Sequence, residues 1–164
     1  MKKILCMLSV CLLLAGCAAS APNTESSTEP IPETQAAESE TTATESTVKF
    51  LLYTPNDNLD GFVTTEIEQD ERDIIGALTE AHVLNENITE NSLSQDGVVL
   101  KLDLNSAFAE LIYTQGTTGE LMIMGCLVNT YLSAYGAESL ILTVDGEILE
   151  SGHVIYDFPM GYYE

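Results

Sequence analysis

Apolar residues recur along this chain at helical and strand spacings, most densely over residues 117–147. In TTGELMIMGCLVNTYLSAYG, Leu121, Met124, Val128, Leu132 and Tyr135 return at three- and four-residue steps, which predicts a helix with one shared apolar face. Residues 139–144, SLILTV, are too short for a helix and rich in aliphatic side chains, so they predict a strand. Asp145-Gly146 suits the positive φ angles of a type I′ turn, and a hairpin should reverse the chain there.

The segments upstream have their own rhythm. Val48, Phe50 and Leu52 alternate with Lys49, Leu51 and Tyr53, giving a first strand that is apolar on both sides. Pro55-Asn56-Asp57-Asn58 breaks it into a loop. Thr65 with Glu68 reads as a capping box that opens a helix. Its stripe is Ile67, Ile74, Ile75, Leu78 and Ala81, and Glu68, Gln69, Asp70, Glu71 and Asp73 face water. Residues 88–94 and 98–104 flank Gln95-Asp96-Gly97 as a second hairpin, with Leu100, Leu102 and Leu104 pointing one way and Lys101 and Asp103 the other. Asn105 or Ser106 caps a short helix through Phe108, Leu111 and Ile112, ended by Gly116. An aromatic tail with Tyr156, Phe158, Tyr162 and Tyr163 closes the chain.

The order strand, helix, strand, strand, helix, strand, with a small closing hairpin, predicts an α+β fold. The expected architecture is a two-layer split β-α-β-like domain over residues 48–164, with its helices on one sheet face. A segment of that length can bury one such core.

The N-terminus belongs to a different class of sequence. Lys2-Lys3 followed by apolar residues 4–14 reads as a secretory signal, too short to span a bilayer. It ends in Leu14-Ala15-Gly16-Cys17, which resembles the bacterial lipobox. That resemblance implies cleavage after residue 16 and attachment of lipid to Cys17, with acyl chains that anchor the protein stably at the membrane. Residues 18–47 are Ser, Thr, Glu, Pro and Ala with almost nothing to bury, which predicts a disordered tether extended by its spaced glutamates.

Charge narrows the partners. The chain carries 26 acidic against five basic residues, a formal net charge of −21. Loss of Lys2 and Lys3 with the signal would leave only Lys49, Arg72 and Lys101 as basic residues. Such a chain repels phosphate backbones, so no nucleic-acid partner is expected.

Candidate chemistry is sparse. Cys6 and Cys11 fall in the signal, which leaves Cys126 alone among Met124, Gly125, Leu127 and Val128, a setting that predicts a buried hydrophobe. Asn56-x-Asn58-x-Asp60-Gly61 has the rhythm of a calcium loop, but Ile67 stands where a bidentate glutamate belongs, so a polar turn is expected. His82 and His153 have no second ligand at metal spacing. The acidic run at residues 68–73 reads as a solvated face. Neither a metal, a cofactor nor catalysis is expected.

Asp96 to Phe108, DGVVLKLDLNSAF, resembles the conserved segment of GerMN domains, named for sporulation and spore-germination proteins. Gly119-Glu120-Leu121, the helix after it and Ile141-Leu142-Thr143-Val144-Asp145-Gly146 continue that pattern in order. The chain departs from it in lacking the usual proline before the second strand and in carrying one domain where some relatives have two. The resemblance implies an α+β module with no catalytic residues, and some of its members are lipoproteins outside the cytoplasmic membrane.

The expected function is therefore a lipid-anchored protein-interaction module at the extracytoplasmic face of a bacterial cell membrane, in a sporulation, germination or envelope assembly. A protein partner or self-association is expected. The candidate contact patch is the side of the central helix that bears Met122, Ile123 and Cys126, continued by the polar Asn129, Thr130 and Ser133; the alternative is that the first helix covers this side. A ligand-binding lipoprotein is the alternative, with the terminal tyrosines as its candidate lining.

Overall fold

In the computed structural model, which describes residues 47–164, two hairpins flank the first helix and two more helices follow them. β1 (Val48–Pro55) and β2 (Phe62–Gln69) form an antiparallel pair, and α1 (Ile74–Glu80) follows. β3 (Glu90–Asp96) and β4 (Val99–Leu104) make a second hairpin. α2 (Ser106–Tyr113) and α3 (Thr117–Tyr135) then carry the chain to β5 (Ser139–Val144), which turns into β6 (Glu147–Ile148). The fold is α+β, with a four-stranded sheet ordered β3-β4-β5-β6 and a separate two-stranded sheet, β1-β2. β4 and β5 run parallel, so a crossover must join them, and α2 with α3 is that crossover.

Alternation decides which sheet face is buried. Leu100, Leu102, Leu104, Leu140, Leu142 and Val144 enter the core, while Lys101, Asp103, Ile141 and Thr143 lie on the more open face. Turn chemistry holds both ends of β5, as expected at Asp145-Gly146 and newly seen at Gly136. Asp145 and Gly146 take φ angles of 49° and 80°, and Gly136 ends α3 in the left-handed conformation.

Two element readings need correction. The capping box at Thr65 and Glu68 is not one, because both residues lie in β2, and α1 begins only at Ile74. Asp73 is its cap, its Oδ1 accepting from Gly76 N at 2.8 Å. The run Val63-Thr64-Thr65 with Ile67 is β-branched and pairs with β1 from Phe62 to Gln69. The element order accordingly gains one strand near its start. Gly116 does not end α2, which stops at Tyr113, but sits at the N-cap of α3.

The C-terminal segment adds two pairings that no strand pattern announces. Leu140 and Met160 exchange backbone hydrogen bonds at 2.8 Å in both directions, covering part of the outer edge of β5. Tyr156 N donates to Leu149 O at 2.9 Å, and Leu149, Tyr156 and Met160 are buried.

Candidate functional site

Every side of α3 over its middle turns is buried, including the side that held the candidate contact patch. Met122 and Cys126 are closed off from solvent, and Ile123 is half-buried against the core. The candidate contact patch of Met122, Ile123 and Cys126 therefore needs correction. Its cover is the β1-β2 hairpin. Thr130 Oγ1 accepts from Tyr53 N at 3.0 Å, and Ser133 Oγ accepts from Leu51 N at 3.2 Å. These two amides lie on the edge of β1 that faces away from β2, so hydroxyls on α3 satisfy a strand edge that would otherwise be exposed. Gly125 lies directly beneath the Phe62 ring, and a Cβ there would collide with it. At the other end of the stripe, Leu121 is 48% exposed rather than facing the sheet.

The polar residues of this side are structural. Asn129 is buried and clamps the C-terminus with both ends of its amide. Its Nδ2 donates to Tyr163 O at 3.0 Å, and its Oδ1 accepts from Tyr163 N at 2.8 Å. This clamp and the Leu140–Met160 pairing hold the aromatic tail against the domain.

Between that tail and the first turns of α3 lies a cavity of about 210 Å³, lined by Thr117, Glu120, Leu121, His153, Val154, Tyr156, Phe158 and Tyr163. The Tyr156 and Phe158 rings stack at 6.3 Å between centroids. Glu120 is only 2% exposed, although it is the one acidic residue in the first turn of α3. Its Oε1 accepts from Ser151 Oγ at 2.5 Å and from Tyr156 Oη at 2.6 Å, while its Oε2 is buried with no hydrogen-bond partner. Burial, and then the bond to Glu120, push the Tyr156 phenol well above its ordinary range. Burial and the nearby Glu120 charge push Tyr163 up as well. Both phenols therefore stay neutral in the physiological range. Of these residues the aromatic tail was a candidate lining, but Glu120 and Ser151 were not read as site residues. One signal was available for Glu120, as a lone carboxylate among the apolar residues that open the central helix.

Elsewhere the candidate chemistry resolves into structure. Burial pushes the Cys126 thiol up to about 12, which makes it inert as a nucleophile. The calcium-like loop is the β1-β2 turn, in which Asn56 Nδ2 donates to Asp60 Oδ1 at 2.8 Å and Asn56 Oδ1 accepts from Asp60 N at 3.2 Å. His82 and His153 are exposed. Among the described residues no cluster of three or more His, Cys, Asp or Glu side chains could hold a metal ion, and no helix is long and apolar enough to cross a membrane. A larger hollow of about 410 Å³ is rimmed by Glu71, Arg72, Asp73 and Glu90, all of them solvated. Cys17, the signal segment and the tether through residue 46 lie outside the described residues.

The arrangement is that of a small α+β domain with an aromatic-lined cavity. No family model matches the chain, and no curated protein matches it. Among solved structures it is similar to a Clostridium perfringens protein named "Putative Lipoprotein", at 17% identity, covering 70% of this chain and 87% of that one with a TM-score of 0.44. It is also similar to the tandem GerMN domains of the sporulation protein GerM from Bacillus subtilis, at 17% identity and a TM-score of 0.47, covering 71% of this chain and 45% of that one.

Proposed function

We propose that this chain is a lipid-anchored, extracytoplasmic interaction module without catalytic activity, serving a sporulation, germination or cell-envelope assembly. The observation that carries the reading is the apolar surface around the aromatic cavity. Leu121, Val154 and Phe158 line the cavity and are exposed, and Tyr162 is exposed on the adjoining hollow that shares Phe158 and Tyr163. On a surface as acidic as this one, a contiguous apolar group of that kind is the best contact face for a protein partner. It replaces the patch first expected on the central helix.

The anchoring half is tested at Cys17. Cys17→Ala should move the protein from the membrane fraction to the medium, or leave it uncleaved. Wild-type protein that takes up no labelled fatty acid would end the lipoprotein reading. For the contact half, Leu121→Glu with Phe158→Glu should keep the melting temperature within a few degrees, since both positions are exposed. The double variant should also lose the partner that crosslinks to the wild type in native membranes. Unchanged crosslinks would remove this face from consideration.

A second reading, a ligand-binding lipoprotein, is favoured by one feature: the cavity itself. It is mostly apolar, with a few polar groups converging on one wall, as small-molecule sites usually are.

A further inference from the structure

Glu120 poses an electrostatic problem that the domain does not solve internally. The described cations are all engaged elsewhere. Lys49 pairs with Glu68 at 2.9 Å, Lys101 lies 3.8 Å from Asp96, and the Arg72 guanidinium sits 4.3 Å above the Tyr135 ring. His153 lines the cavity but makes no side-chain hydrogen bond to any described residue; its backbone N–H donates to Ser151 Oγ. A carboxylate taken out of water is normally compensated by an opposite charge or a full set of donors. Glu120 has two hydroxyl donors on Oε1 and none on Oε2.

The rest of the lining says what kind of group would supply the missing charge. Tyr156, Phe158 and Tyr163 surround the space with ring surface, and Leu121 and Val154 complete an apolar wall. Aromatic faces attract cations through their quadrupole, most strongly when the cation sheds water easily. An anion is opposed by Glu120, and a neutral apolar ligand would leave the carboxylate uncompensated. A primary ammonium brings three N–H donors that need acceptors. Among the lining side chains Glu120, Thr117, His153 and the phenol oxygens of Tyr156 and Tyr163 could take them, but rings and aliphatic groups form most of the wall. A quaternary cation brings no donors of its own to satisfy and can meet that wall with its whole surface. The volume of about 210 Å³ corresponds to about seven water molecules in the liquid, so the occupant is of similarly small size.

We propose that the cavity between the first turns of α3 and the aromatic tail is a binding site for a small quaternary ammonium group, held by the rings of Tyr156, Phe158 and Tyr163 and by the charge of Glu120. This rests on the ligand-binding reading above and names its ligand class. Nothing covalent occurs. The cation exchanges water for ring surface and a carboxylate.

The test compares choline with its uncharged carbon analogue, in which a tert-butyl group replaces trimethylammonium. Each is titrated into the purified full chain and followed by the methyl resonances of Leu121 and Val154. Choline should bind about tenfold or more tightly than the analogue. Glu120→Gln, which keeps an acceptor for Ser151 and Tyr156, should abolish that preference, and Phe158→Ala should weaken choline binding several-fold. Because Phe158 is exposed and the analogue comparison uses the wild type, a folding defect in Glu120→Gln does not blunt the test. Equal affinities for the two compounds would overturn the cation site and leave a neutral-ligand site standing. Persistence of the preference in a folded Glu120→Gln protein would overturn the role of the carboxylate. If neither compound moves a resonance, the cation site and the ligand-binding reading both fail.

Discussion

The two long sides of α3 are both buried, by different physics. Toward the four-stranded sheet, Met124, Leu127 and Val128 share one buried apolar cluster with the leucines of β4 and β5, and dispersion with loss of water contact holds them. Toward the β1-β2 hairpin, the same helix presents Asn129, Thr130 and Ser133, whose side chains bond backbone groups of β1 and the C-terminal tail. One side excludes water because it is apolar. The other does so because its polar groups find protein partners where water would have been. A helix can therefore be buried all round without being apolar all round.

Substitutions can break that comparison at either side. The largest effect belongs to the sheet side, where Leu127→Ala should cost about 3 kcal/mol or more through lost burial and an unfilled cavity, read as a lower urea midpoint. Gly125→Val, on the hairpin side, should cost about 2 kcal/mol by pushing against Phe62. Adding Phe62→Ala should recover part of that loss, and absence of any recovery would mean that the hairpin does not seat there.

Thr130→Val keeps shape and removes the acceptor for Tyr53 N. It should cost about 1–2 kcal/mol and speed hydrogen exchange at that amide, and unaltered exchange would show that the edge is satisfied some other way. On the open sheet face, Asp103 accepts from Thr143 Oγ1, Asn91 Nδ2 and Gly146 N. The hydrogen bond from Thr143 chiefly holds its carboxyl below the ordinary range, with those from Asn91 and Gly146 adding to it. A group lowered in the folded state stabilises above the unfolded value, about pH 4, and loses that contribution as pH falls through the lowered folded value. Asp103→Asn should therefore cost about 1 kcal/mol near neutrality, with the gap to wild type closing below about pH 4. The smallest response is expected from Cys126. Its thiol should resist alkylation in the folded protein and react only with unfolding, and rapid labelling at neutral pH would contradict its burial.

Much of the fold was readable from local pattern. The extents of α3 and β5, the turn at Asp145-Gly146 and the alternation of Leu100, Leu102 and Leu104 all follow from side-chain period and backbone preference within a few residues. Thr65 and Glu68 show where local pattern misleads. A threonine followed three residues later by glutamate fits a capping box, but pairing with β1 holds this segment as a strand, and cross-strand bonds outweigh a helix start of marginal propensity.

The candidate site divides in the same way. The aromatic tail is a property of composition and order, and so is the lipobox-like start on which the expectation of export and anchoring rests. Whether Met122 and Cys126 face a partner or the chain's own hairpin depends on contacts between residues some sixty to eighty positions apart, as between Phe62 and Gly125 or Leu51 and Ser133, and no periodicity records those. Glu120 is the sharper case. As a residue in the first turn of a helix it is an ordinary match to the positive end of the dipole. Tertiary packing made it a buried carboxylate, because Tyr156 and Ser151 fold back over it and the pinned tail closes the wall around it.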